Sequence, residues 1–223
     1  MKWLISDKRQ VITTDVTSCF SSLLSGPGAC PSRTPFLKMP QKIIVNKLGV
    51  PVVVDGEPRP LLPDSFIDWL EPRLNESMNV WEFGSGNSTL WFASKVNSVL
   101  SVEHHILWHK ALISILPDNC KLLFIPLSRL DPYPEVFSGT SPQILLVDGM
   151  LRNECIHAAA ASWTQDAVMI VDNTDTLDAN DGCAWLRQQG FKEMIFNGTY
   201  RWATNGEIHS TSVFFKEGNC LGL

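Results

Sequence analysis

The chain has 223 residues, 44% of them hydrophobic and 18% charged, with a formal net charge of −5. That length supports one full hydrophobic core, and the composition excludes wholesale disorder. The acidic balance, with no cluster of Lys and Arg, argues against general nucleic-acid binding, which needs cations to replace counterions on phosphate.

No apolar run approaches the roughly 20 residues that span a bilayer. The first ten residues place Lys2, Asp7, Lys8 and Arg9 among few apolar ones, unlike a secretory signal. Cys19, Cys30, Cys120, Cys155, Cys183 and Cys220 form no C-x-x-C pair, so they read as free thiols of a cytoplasmic protein.

Residues 1–62 read as an N-terminal arm, partly irregular. Ser21 to Pro40 is rich in Ser, Gly and Pro, the composition of a loop. Lys42 to Asn46 fits a short strand, and Val50 to Pro58 is extended up to an Asp55-Gly56 turn. Residues 63–223 form the principal domain. Asp64 is the expected N-cap of a helix reaching Leu74, with Phe66, Ile67, Trp69 and Leu70 on its apolar side.

From Met78 short apolar runs alternate with amphipathic stretches. Strands are predicted at Asn79 to Phe83, Ser98 to Glu103, Lys121 to Ile125, Gln143 to Val147 and Ala167 to Val171. Helices are predicted at Thr89 to Lys95, Ile106 to Leu116, Asn153 to Ser162 and Gly182 to Gln189. Pro126 to Pro142 shows no helix. Two last strands, Glu193 to Phe196 and Thr211 to Phe215, have only a loop between them. Apolar strands alternating with helices imply an α/β fold with a mostly parallel, doubly wound sheet. In such sheets ligands bind beyond the carboxyl ends of the strands, so the polar residues after each strand are the ones that matter.

The first strand of this run enters Glu82-Phe83-Gly84-Ser85-Gly86-Asn87-Ser88-Thr89. A strand, a glycine turn and a helix start bring backbone N–H groups close to a ligand, where a Cβ would obstruct. Glu103 ends the next strand, near the roughly 20-residue spacing expected of an acid that grips ribose hydroxyls. A nicotinamide fingerprint wants a third glycine where Thr89 stands. A carboxylate at Glu82 suits a cationic amino-acid moiety and repels a pyrophosphate. Together these features favour S-adenosylmethionine.

Glu-Phe-Gly-Ser-Gly-Asn-Ser-Thr, then Ser-Val-Glu-His, then Leu-Val-Asp-Gly resemble the class I S-adenosylmethionine-dependent methyltransferases. The similarity is greatest to a branch of small methyltransferases with an E-x-G-S-G-x-S-T loop, and it covers Asp55 to Lys216. The resemblance implies a Rossmann-like, seven-stranded sheet with the last strand inserted antiparallel. It also implies a cofactor site made by Glu82, Gly84, Ser85, Gly86, Asn87, Ser88 and Thr89. In that site Glu82, Gly84 and Gly86 line the methionine end, Glu103 binds ribose, and His104 lies near the adenosine.

Asp148 follows the fourth strand, and Asp172 and Asn173 follow the fifth. Side by side, these oxygen donors suit Mg²⁺ or Ca²⁺, an arrangement similar to the metal-dependent catechol and caffeoyl-coenzyme A O-methyltransferases. The same residue types also cap turns and helices, which leaves Asp148 alone facing the transfer centre. Asp148 is the first candidate base or metal ligand, and His209 the second.

Arg152 stands at the ligand edge and suits an anionic group. Tyr200, Arg201, Trp202 and His209 fall in the last loop, where a substrate pocket often draws residues. His157 reads as a packed or surface helix histidine. No G-x-S-x-G elbow is present. The expected activity is methyl transfer to a small molecule at oxygen. Its rivals are a nicotinamide-dependent oxidoreductase and a non-catalytic binding domain.

Overall fold

The computed structural model describes residues 58–139, 141–199 and 208–223, and the backbone of three short strands before them. The chain forms two compact units, Met1–Pro58 and Arg59–Leu223. In the first, Val11–Ile12, Ile43–Val45 and Pro51–Val53 pair antiparallel in that order. The Ser21 to Pro40 stretch, the Asp55-Gly56 turn, Cys19 and Cys30 lie outside the described residues.

The second unit is built on seven strands: β1 (Asn79–Phe83), β2 (Ser98–Glu103), β3 (Cys120–Phe124), β4 (Ile144–Val147), β5 (Val168–Asp172), β6 (Lys192–Gly198) and β7 (His209–Phe215). Their order is β3-β2-β1-β4-β5-β7-β6. The first five are parallel, and β7 inserts antiparallel between β5 and β6. All of β4 and β5 is buried. Strands covered on both faces have no polar side to show, hence the unbroken apolar runs.

Among the described residues five α-helices flank the sheet: α1 (Asp64–Leu70), α2 (Asn87–Ala93), α3 (Ile106–Ile113), α4 (Arg152–Ala160) and α5 (Leu177–Gln188). Phe66 and Ile67 of α1 and Phe92 of α2 bury against one face. Ile156 of α4, Cys183 and Leu186 of α5 bury against the other. Among the described residues no helix is long and apolar enough to cross a membrane.

Three expectations need correction. Asp64 does not cap α1: the cap position is Pro63, and Asp64 lies in the first turn, where Arg59 bonds its carboxylate at 3.2 Å. The α-helix stops at Leu70, because Pro72 tightens the following turn, Glu71–Arg73, into a 3-10 helix. α5 begins at Leu177, five residues before Gly182. Gly182 lies inside it, where a Cβ would meet Ile156 Cδ1 at 2.7 Å. The glycine allows α5 to close on α4 and is no helix start. The described residues of 126–142 form two 3-10 turns, Leu127–Arg129 and Pro134–Phe137, and no α-helix.

The registers level the carboxyl ends of the central strands. Phe83 lies opposite Val102 of β2 and Val147 of β4, and Val147 lies opposite Val171 of β5. The next residues of each strand therefore emerge side by side. At this crossing Gly84 donates its N–H to Val102 at 3.0 Å, and Asp148 donates to Phe83 at 3.0 Å.

Gly84 has φ +95°, and a Cβ there would sit 2.7 Å from the Asp148 carbonyl oxygen. A Cβ on Gly149 would sit 2.1 Å from the hydroxyl of the fully buried Tyr133. Two glycines let the ends of β1 and β4 touch backbone to backbone.

Gly190, after α5, also has positive φ (+78°) but has open space around it. Gly84→Ala therefore carries both conformational strain and a clash, and Gly190→Ala the strain alone. The strain is about 1–3 kcal/mol, and the clash adds about 1–3 kcal/mol. Denaturant midpoints should show Gly84→Ala to be the less stable by about that second amount; equal losses would remove the close approach as the reason for Gly84.

Candidate functional site

Glu82 is the last but one residue of β1 and is 1% exposed. Its carboxyl is enclosed by hydroxyls. Ser88 Oγ donates to Oε1, Thr89 Oγ1 to Oε2 at 2.5 Å, and Ser101 Oγ of β2 to Oε2 at 2.7 Å. Thr89 Oγ1 in turn accepts the Gly86 N–H at 3.0 Å.

The E-x-G-S-G-x-S-T run is thus a unit bonded to itself: its last two residues reach back to its first. Thr89, at the place of a third glycine, is fully buried, and its side chain holds the turn. Burial raises the Glu82 carboxyl from 4.5 to about 7; the hydroxyls of Ser88, Thr89 and Ser101 oppose the rise, and Glu103 adds to it.

Glu103, at the end of β2, is 3% exposed. Its Oε1 accepts the backbone N–H groups of His104 at 2.8 Å and His105 at 2.7 Å. Its Oε2 accepts the Ser85 hydroxyl at 2.6 Å. The Ser85 carbonyl accepts the Trp108 indole N–H at 2.7 Å, and the Trp108 ring lies 3.5 Å from where a Gly86 Cβ would be.

The glycine loop is therefore folded over the acid and clasped from α3. His104 stands beside Glu103, with Nδ1 3.4 Å from Oε1 and its ring edge-on to Tyr133. Asn87, expected in the site, is buried in the first turn of α2.

At the ends of β4 and β5 each expected ligand has a protein partner. Asp148 Oδ1 accepts from Arg152 Nη2 at 3.0 Å. Asp172 is 2% exposed, and its Oδ1 accepts the Thr211 hydroxyl of β7 at 2.5 Å. The Asn173 amide lies 3.4 Å from His209 Nδ1, with Asn173 held at φ +54°. Burial raises both carboxyls; the neighbouring Asp172 pushes Asp148 further, and Arg152 pulls against both shifts.

Among the described residues no three His, Cys, Asp or Glu side chains are grouped to hold a metal ion. The Asp148, Asp172 and Asn173 set does not fit Mg²⁺, because a guanidinium already supplies the positive charge against Asp148.

The sequence reading overlooked Ser101, Trp108 and Tyr133. Ser101 leaves one trace, a serine between the apolar Leu100 and Val102 inside a strand, which needs a polar partner when buried. Tyr200, Arg201 and Trp202 lie outside the described residues. His157 packs edge-on against Trp185 of α5, with ring centroids 4.6 Å apart, away from the strand ends.

No family model matches the chain, and no curated protein matches it. Solved structures do. A methyltransferase-like protein from Silicibacter pomeroyi is 19% identical, with a TM-score of 0.50, over 72% of this chain and 90% of that one. Precorrin 8W decarboxylase from Methanobacterium thermoautotrophicum is 18% identical, with a TM-score of 0.50, over 69% and 88%. Spermidine synthase from Thermotoga maritima is 16% identical, with a TM-score of 0.50, over 79% and 68%. The fold is the Rossmann-like methyltransferase fold.

The Glu82 shift sets a pH dependence. Its folded value lies above its unfolded one, so its contribution is full below about pH 4.5 and is lost as pH rises through about 7. Over that window it amounts to about 2–3 kcal/mol. Calorimetric melting between about pH 5 and pH 8 should show a fall in stability that Glu82→Gln reduces by about that amount. A variant with the same slope as the wild type would place the titration elsewhere.

Proposed function

We propose that the chain is a cytoplasmic S-adenosylmethionine-dependent methyltransferase acting on a small-molecule acceptor, at oxygen. The observation that carries this is the glycine loop lying on Glu103 at the point where the strand order reverses between β1 and β4. That crevice is where open α/β sheets bind nucleotides. Glu103 is held by two backbone N–H groups, and its other oxygen accepts a hydroxyl from Ser85. A ribose hydroxyl has the same chemistry and would take the place of Ser85.

Glu82 supports the cofactor choice, since a carboxyl under the loop favours a cationic ligand over a pyrophosphate. The four free thiols among the described residues, Cys120, Cys155, Cys183 and Cys220, suit a reducing compartment. The carboxylates at the strand ends disfavour a polyphosphate such as nucleic acid.

When bound, the cofactor supplies a methyl group on an activated sulfonium. The chain's part is alignment and proton removal. Asp148 is placed to take the proton from the acceptor hydroxyl, whose oxygen would be the nucleophile toward the methyl group that the bound cofactor would supply. A carboxyl raised by burial is better matched to that proton than an ordinary one. Asp148 then returns the proton to water.

S-adenosylhomocysteine should raise the melting temperature, because a ligand of the native state stabilises it by mass action. NAD should not; stabilisation by NAD alone would make the chain an oxidoreductase. Glu103→Ala should weaken S-adenosylhomocysteine binding by about 1.5–3 kcal/mol in calorimetric titration, the usual worth of a hydrogen bond to a charged group. An unchanged affinity in the folded variant would put the nucleoside elsewhere. Cofactor binding without methylation of any acceptor in a metabolite screen would favour a non-catalytic binding domain.

A further inference from the structure

The residue types after β4 and β5 invite a divalent cation, yet Asp148 already meets another positive charge. Arg152 is the first residue of α4, which has no side-chain cap. The macrodipole disfavours a cation at that end of a helix. Leu151, with φ 53°, turns the chain so that Arg152 folds back over the strand ends. Its Nη2 meets Asp148 Oδ1 at 3.0 Å, and its Nη1 lies 3.7 Å from Asp178 Oδ2. The side chain is 12% exposed. A guanidinium buried to that degree, against a helix dipole, is retained by the carboxylates around it.

The same charge reaches both acids of the expected metal site, since Arg152 opposes the upward shifts of Asp148 and of Asp172. Asp172 is engaged from its other side by Thr211. A hard divalent ion needs carboxylate oxygens at roughly 2.0–2.6 Å around one point. Placed there, it would meet the guanidinium at close range, and like charges in a buried site repel strongly.

We propose that the Arg152 guanidinium is the resident cation of the acceptor half of the site, standing in place of a divalent ion and itself orienting the acceptor oxygen. The identity of the acceptor oxygen rests on the methyltransferase reading; the exclusion of a metal by Arg152 does not. A guanidinium suits this place: it is planar and carries several donors in a fixed fork. It therefore gives an oxygen a defined direction, where a hydrated Mg²⁺ would give it a coordination position.

The test uses Mn²⁺ as probe, followed by electron paramagnetic resonance on the full chain with and without S-adenosylhomocysteine. Wild type should show no saturable Mn²⁺ binding up to about 1 mM, the weak limit of protein sites for hard divalent ions. Arg152→Gln, its fold checked by thermal melting, should gain a saturable site, and adding Asp148→Asn should abolish it. Arg152→Lys, which keeps the charge and perturbs the fold less, should remain without a site.

Saturable binding to wild type that Asp148→Asn removes would overturn the proposal. So would a folded Arg152→Gln that binds no Mn²⁺. S-adenosylhomocysteine affinity, measured in parallel by calorimetry, tests the cofactor reading separately. Its absence would remove that reading and leave the Mn²⁺ result standing.

Discussion

The buried carboxyl of Glu82 is the constraint around which the ligand edge is organised. A carboxyl taken out of water in an apolar sheet is costly unless its oxygens find donors. Here three hydroxyls supply them, from Ser88 and Thr89 at the start of α2 and from Ser101 in β2. These bonds tie two pieces of chain, the start of α2 and the middle of β2, to β1. The helix start is drawn back over the strand, so the residues between must turn within a few ångströms, and that turn holds Gly84 and Gly86. Thr89 then accepts the Gly86 N–H, which closes the circuit. The loop's path follows from feeding one buried acid, and the path places Ser85 over Glu103.

The fold shows why residue-level argument is needed for function. Proteins named as a methyltransferase-like protein, a decarboxylase and a synthase share this sheet with the chain at below 20% identity. The sheet supplies a crevice and a set of strand ends; the chemistry depends on which side chains stand there. In this chain those are carboxyls in four different settings. Glu82 is met by neutral hydroxyls, Glu103 by backbone N–H groups and Ser85, Asp148 by a guanidinium, and Asp172 by Thr211.

The sequence made the sheet legible because its central strands are covered on both faces. Runs such as Ile144–Val147 cannot be confused with an exposed strand, and Gly86 and Gly190 mark the start of α2 and the end of α5. Strand ends followed from the same pattern, so Glu82, Glu103, Asp148 and Asp172 were found at the right edge. Local rules failed where a distant contact decided. Gly182 looks like a helix boundary until Ile156 is seen against it. Asp64 looks like a cap until Pro63 takes the position and Arg59 takes the carboxylate. Tyr133 gives no signal in a stretch without helical pattern, because what fixes it is the space left by Gly149 across the crossing of β1 and β4.

The partners of the acids were the least legible part, and they separate two similar chemistries. Asp148, Asp172 and Asn173 can be read as metal ligands or as protein-bonded groups, since residue type records an oxygen donor but not its occupant. The occupant depends on a residue four positions on, in the first turn of the next helix, whose reach depends on a left-handed Leu151. A cation fixed to a helix cannot be lost to a chelator or exchanged for another ion. It is also weaker than a divalent ion at drawing a proton from an acceptor hydroxyl. On the proposed mechanism more of the proton removal would then fall to the carboxylate, and the shift of the Asp148 carboxyl is in the direction that suits it to that task.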